Sequence, residues 1–191
     1  MSKKSLKFGS HPDGGYTLSA EMFVGLPREQ VFNFFADARE LERITPPWLN
    51  FSIRTPMPVV MKRGLRLDYR IKLHHIPIYW TTEISVWEPS VRFVDQQLKG
   101  PYKRWHHEHT FEEVDGGTLV RDEVHYIPRG GSLIHKWMVR PDLEKIFNFR
   151  QDTLQEIFAE IIAKQAPQNA PSRSFPNLNS RQLESSRQLE S

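Results

Sequence analysis

Three histidines fall within four positions in the stretch KRWHHEHTFEE, residues 103–113. Three kinds of chemistry use such a set. Two imidazoles and a carboxylate suit zinc or ferrous iron; His107 and His109 would supply the nitrogens, with Asp122 or Asp95 as the oxygen donor. A histidine beside an aspartate in an apolar cavity can enolise or dehydrate a bound ketone. His107, His109 and Asp122 are the catalytic candidates for that work, and Arg150 would hold the oxyanion. In the third case the same groups only orient the polar head of a bound molecule. All three require the rings to face inward.

The strands that must position them are legible. With Phe111 buried, a period of two places His109, His107 and Trp105 on the same inner face and His106, Glu108, Thr110 and Glu112 outside. The Asp115-Gly116-Gly117 turn pairs this strand with 118–127, whose inner series is Val120, Asp122, Val124 and Tyr126. The preceding strand, 91–98, carries Phe93, Asp95 and Gln97 inward, and 78–87 carries Trp80, Thr82 and Ile84. Residues 65–73, LRLDYRIKL, alternate as a half-buried antiparallel strand. Turns are expected at His75-Ile76-Pro77, Glu88-Pro89 and Gly100-Pro101.

Upstream, 15–26 reads as the first strand. Pro27 then opens a short helix with Val31, Phe32 and Phe35 on one side, and ARELERIT forms a second, stopped by Pro46-Pro47. From about Leu133 to Lys164 runs a long helical pattern, bent near Pro141, with Leu143, Ile146, Phe147, Leu154, Ile157, Phe158 and Ile161 as its stripe. Arg150 lies on that stripe, where a guanidinium needs a carboxylate or water. A sheet with one oily face and a helix with one oily stripe are both covered when the sheet curls around the helix, and a cavity between them is the natural consequence.

The bulk numbers bound the partners. The 191 residues suit one domain, and the absence of cysteine excludes disulfides and thiolate metal sites. The net charge of +3 sits in the ends: Lys3, Lys4 and Lys7 against Asp13 give +2 before Gly15, and three arginines against two glutamates give +1 after residue 165. Residues 15–165 are therefore neutral, which argues against a nucleic-acid footprint. The chain shows no secretory signal and no membrane-length apolar run, so a cytoplasmic protein is expected. Lys99, Lys103 and Arg104 around one turn would allow transient contact with anionic headgroups. Residues 166–191, with SRQLES repeated in tandem, have the composition of a disordered tail, and 1–14 of a flexible N-terminus.

The phrases VFNFFADARELERITPPWLNFSI, GLRLDYRI, FVDQQLKGPYKRWHHEHTF, GGTLVRDEVHY and IFNFRQDTL together resemble the SRPBCC superfamily, the START, polyketide-cyclase and pollen-allergen-type helix-grip group. The likeness covers roughly 15–162, within a ligand-binding domain expected to span 15–165. The resemblance implies an α+β helix-grip fold: a curved seven-stranded antiparallel sheet around a long C-terminal helix, with two short helices after the first strand and an apolar cavity between. It implies binding of a small hydrophobic molecule such as a lipid, quinone or polyketide-like compound, for carriage or sensing. Alternatives are a cyclase or dehydratase using His/Asp chemistry in the same cavity, or a co-chaperone-like interaction module tethered by its tail.

The ligand-binding residues expected are Trp80, Phe93, Asp95, Gln97, Trp105, His107, His109, Asp122, Tyr126 and Arg150. No metal and no cofactor is assigned, because His-x-His recurs by chance and the outward His106 marks a strand that is simply rich in histidine. Loops 56–64 and 127–134 are candidate gates, and Trp48 a plug under the sheet. The sequence leaves the oligomeric state open.

Overall fold

The computed structural model describes residues 5–165. The expected tail at 166–191 lies outside the described residues. Eight strands form one antiparallel sheet: β1 (Ser5–Ser10), β2 (Tyr16–Val24), β3 (Ser52–Ile53), β4 (Arg66–Leu73), β5 (Ile76–Glu88), β6 (Arg92–Lys99), β7 (Tyr102–Val114) and β8 (Gly117–Pro128). Their order across the sheet is β1-β2-β8-β7-β6-β5-β4-β3. Helices α1 (Arg28–Phe35) and α2 (Glu40–Arg43) and a 3₁₀ turn (Pro47–Leu49) carry the chain from β2 to the far edge. The chain closes with α3 (Gly131–Ile134), a π-helical turn (His135–Val139) and α4 (Arg140–Gln165), together one long C-terminal helix.

The sheet has one strand more than the seven expected, and the two strands that the sequence did not mark individually, β1 and β3, are its edges. Ser5–Ser10 pairs with β2, setting Leu6 opposite Ala20 and Phe8 opposite Leu18. Both side chains pack on the core and Phe8 lies 5.1 Å under the Arg140 guanidinium, so a segment expected to be loose is held by burial and a cation–π contact. At the other edge, β3 is a two-residue pairing with β4. The turn expected at His75-Ile76-Pro77 sits one residue earlier. Leu73 pairs with Ile76, so His74 and His75 form the two-residue loop, both at positive φ (47° and 69°), while Ile76 and Pro77 belong to β5. Just before Pro141, where a bend is expected, the helix carries a π-helical turn, His135–Val139, to which the proline can return no bond.

Inner-face parity holds along the central strands. Trp105, His107, His109 and Phe111 are buried on β7, and Val120, Asp122, Val124 and Tyr126 on β8. Helix α4 buries Leu143, Phe147, Gln151, Leu154 and Phe158. The core has two apolar clusters. One gathers Phe32, Phe35, Phe93, Phe111 and Phe158 around α1; the other gathers Leu18, Trp80, Trp105, Tyr126 and Phe147 around the N-terminal half of α4. Trp48 is not a plug: it is 52% exposed on its 3₁₀ turn and meets Phe149 edge-on.

Candidate functional site

Between the two apolar clusters lies a polar quartet, His107, His109 and Asp122 buried and Asp95 half-buried. Strand register builds it: β7 pairs His109 with Asp122 of β8, and β6 pairs Asp95 with His107. His107, His109 and Asp122 are 4%, 2% and 6% exposed. Each ring spans the two carboxylates. His107 Nδ1 lies 3.4 Å from Asp95 Oδ2 and its Nε2 lies 3.5 Å from Asp122 Oδ1. His109 Nε2 is 3.3 Å from Asp95 Oδ2 and its Nδ1 is 2.6 Å from Asp122 Oδ1. The ring centroids stand 3.9 Å apart. His109 stacks on Phe93 at 4.3 Å, and His107 meets Trp105 and Phe147, so one imidazole leans on each apolar cluster.

The contacts with Asp122 are close but off axis. Despite the 2.6 Å approach, His107 Nε2, His109 Nδ1 and Asp122 Oδ1 have no hydrogen-bond partner among the described residues. On the other side the Thr82 hydroxyl shares its one proton between the Gln96 carbonyl oxygen at 3.2 Å and Asp95 Oδ1 at 3.4 Å, and Oδ2 faces the imidazoles. Burial would raise the Asp95 pKa, but the charge of His107 and hydrogen bonds from His107 and His109 outweigh it and hold the carboxyl below its usual range. Asp122 is likewise pushed up by burial but held well below its usual range by His109, His107 and the charge of Arg150. Burial alone would lower the His107 pKa; Asp95 and Asp122 reverse this and raise it.

A cavity of about 220 Å³ opens beside the quartet, between sheet and α4. Of the residues expected at a site, Trp80, Phe93, Asp95, Trp105, His107, His109 and Arg150 line it. Gln97, Asp122 and Tyr126 do not. Gln97 Nε2 donates to Tyr102 O at 2.9 Å, and the Tyr102 N–H returns a bond to Gln97 Oε1 at 3.3 Å, which locks the strand end. Tyr126 is fully buried, its hydroxyl 2.9 Å from His135 Nε2. Asp122 stands behind the imidazoles. Of the two expected gates, 56–64 contributes Met61 and 127–134 contributes no wall residue.

The wall also includes residues not among the expected ligand contacts: Leu67, Tyr69 and Ile71 of β4, Thr82 of β5, and Ile146 and Phe147 of α4. The alternation of 65–73 and the α4 stripe were the available signals. Burial, and then the Asp95 charge, raise the Tyr69 phenol well above its ordinary pKa, with Arg150 opposing, so it faces the cavity as a neutral hydroxyl. Arg150 keeps its Nε buried without a hydrogen-bond partner among the described residues.

A curved antiparallel sheet closed on a long C-terminal helix over a cavity defines the helix-grip class of α+β domains. The comparisons agree. Residues 24–154 match the polyketide cyclase / dehydrase and lipid transport family, and the chain belongs to it. Protein Ms6760 from Mycobacterium smegmatis is similar in structure, with 17% identity, a TM-score of 0.60, and coverage of 85% of this chain and 99% of that one. Ara h 8.0201 (14% identity, TM-score 0.56, 77% and 99% covered) and TTHA0849 from Thermus thermophilus (20%, 0.51, 78% and 99%) share the fold. No curated protein matches the chain. No helix among the described residues is long and apolar enough to cross a membrane.

Proposed function

We propose that this domain binds a compact, largely apolar molecule carrying one polar group, for carriage or sensing. The carrying observation is that Asp95, His107, His109 and Arg150 converge on a cavity otherwise walled largely by aromatic and aliphatic side chains, the composition of small-molecule sites. Its volume, about 220 Å³, lies below the roughly 300–1,000 Å³ of drug-sized pockets. That favours a one- or two-ring, quinone- or polyketide-like compound over a long acyl chain. The aromatic side chains hold the rings and Arg150 and the imidazoles orient the oxygen.

The test is titration with a two-ring phenol such as 2-naphthol, read by fluorescence. His107→Ala and Arg150→Ala should each weaken binding about tenfold or more, the worth of one charge-assisted hydrogen bond. Trp48→Ala, on the exposed 3₁₀ turn, should not. Unchanged affinity in both site variants, with folding intact, overturns the proposal.

A second reading, cyclase or dehydratase, has its own support: His109 Nε2 and Asp95 Oδ2 are 3.3 Å apart on the cavity wall, an acid–base pair within reach of a bound ketone. Native mass spectrometry of the protein from its source cells separates the two. An unaltered molecule retained through purification supports carriage; turnover of an added ketone lost in His109→Gln supports the enzyme.

A further inference from the structure

The quartet has two unlike sides. On one side Asp95 Oδ2 faces His107 Nδ1 and His109 Nε2, and these three residues line the cavity; on the other, Asp122, which does not line it, sets its Oδ1 against the remaining, fully buried nitrogen of each ring. We propose that the cavity-facing trio, Asp95, His107 and His109, is a binding site for a divalent ion of the zinc type, with Asp122 behind it as the carboxylate that orients both imidazoles.

Three observations carry this. First, ligand atoms around a tetrahedral zinc, each about 2.0–2.1 Å from the metal, stand about 3.3 Å from one another. The two edges that Asp95 Oδ2 makes with the imidazole nitrogens are 3.4 and 3.3 Å. One ligand atom from each of the three residues lies within 4.8 Å of the others, so the trio is preassembled. Second, the Asp122 side has different spacing. Its 2.6 Å contact with His109 Nδ1 is too short for two atoms bound to one zinc, where about 3.3 Å is needed, and is the length of a charge-assisted hydrogen bond once aligned. Metal-ligating histidines commonly give their second N–H to a carboxylate in this manner. Third, the buried atoms on that side, His107 Nε2, His109 Nδ1 and Asp122 Oδ1, lack hydrogen-bond partners among the described residues. A ring drawn onto an ion at its cavity-side nitrogen carries its proton on the other nitrogen, and a small rotation turns that N–H onto Asp122. The ion would thereby satisfy atoms that the quartet alone leaves misaligned.

The donor set favours zinc or another borderline first-row ion over magnesium or calcium, which take oxygen ligands. Thr82 Oγ1 lies 3.4 Å from the other Asp95 oxygen, on the side away from the rings, so Oδ2 stays available to the ion. With only three protein ligands on the cavity wall, a fourth position faces the space where a ligand oxygen would sit. The site itself does not depend on that organic ligand.

The experiment uses the full chain, stripped with chelator and titrated with Zn²⁺ alone and with Co²⁺ alone. The expected result is one Zn²⁺ per chain at micromolar concentration, and Co²⁺ ligand-field bands that Zn²⁺ abolishes. Asp95→Asn and His107→Gln should weaken Zn²⁺ affinity at least tenfold, and Asp122→Asn by about 10–100-fold through lost orientation. His106→Ala, on the convex face beside His11 and His125, should leave it unchanged.

If a variant does not fold, paramagnetic broadening by Co²⁺ in the wild type gives the answer. Amide signals of Thr82 and Phe93 should broaden before those of His11 and Asp13. No Zn²⁺ bound at micromolar concentration, binding undiminished in folded Asp95→Asn and His107→Gln, or broadening that starts on the convex face each overturns the proposal. Because no organic probe is present, a failed naphthol titration beside a successful zinc titration refutes the ligand reading and leaves the metal site standing, and the reverse holds equally.

Discussion

Replacing Asp122 by asparagine tests whether the quartet is one electrostatic unit. The change keeps the shape and removes one charge from a site where His109 and Asp122 side chains are 3% and 8% exposed. Breaking a buried ion pair by neutralising one partner costs about 3–5 kcal/mol, because the other charge stays buried without compensation; the imidazole whose protonated form Asp95 and Asp122 favour is His107, which also faces Asp122. Here the lower end applies, since Asp95 remains within 3.3–3.4 Å of both rings. At about 3 kcal/mol, a domain of this size should lose roughly 6–12 °C in Tm, and its urea midpoint should fall with the slope unchanged. The measurement belongs in chelator, so that no ion contributes. A double-mutant cycle with His109→Gln should return a coupling of about 1 kcal/mol or more, as expected for residues in direct contact. A loss below about 1 kcal/mol for Asp122→Asn, with native circular dichroism, would mean that the imidazoles do not rely on that carboxylate and would refute the reasoning.

Two further outcomes rest on other parts of the fold. His135 is buried, stacked on Tyr16 at 3.4 Å and bonded to Tyr126; burial first, and then the charge of Arg140, lower its pKa from the ordinary histidine value of 6.5. A lowered histidine pKa favours the neutral ring in the folded state, so its contribution is present above pH 6.5 and is lost as pH falls through the folded value. Urea unfolding of the wild type and of His135→Asn from pH 7.5 down to 5 should show their difference shrinking with acid; a constant difference would refute it. At the β4–β5 loop, His75 holds a φ of 69°, a left-handed conformation costing a non-glycine residue about 1–2 kcal/mol. His75→Gly should therefore raise the urea midpoint, with a gain of up to about 1 kcal/mol after glycine's greater unfolded entropy; a fall would refute it.

How much of the site the sequence discloses follows from what a period of two can carry. Parity along β7, anchored on Phe111, puts His107 and His109 inside, and a two-residue turn at Asp115-Gly116 fixes the register that sets His109 opposite Asp122. Both facts are local. Parity does not say where along a strand the cavity ends. Gln97 and Tyr126 lie in the inner-face series of their strands, yet one is locked to the backbone of Tyr102 and the other is sealed by His135. Those partners come from the strand end and from the π-helical turn, and no spacing within β6 or β8 announces them. The edge strand β1 is hidden for the opposite reason. Its pattern is only Leu6 and Phe8 among lysine, serine and glycine, and its stability comes from β2 and Arg140, far away in the chain.

The division of the quartet into a cavity side and a rear side is the least legible feature and the most consequential. Sequence parity treats Asp95 and Asp122 alike, since each lies on the inner face of a strand adjacent to β7. What separates them is which carboxylate shares the cavity wall with Leu67, Tyr69 and Ile71 of β4. That depends on how far the sheet curls over α4, a property of all the strands together. With β6 on the cavity side, Asp95 meets the rings at ligand-to-ligand distances; with β8 behind, Asp122 meets His109 at hydrogen-bond distance. Exchanging the two roles would require β8 to line the cavity, and no residue of β8 does. The chemistry open to this domain is therefore fixed by sheet curvature as much as by the histidines: the same four side chains on a flat sheet would form a symmetric ion-pair cluster with no face to offer a ligand.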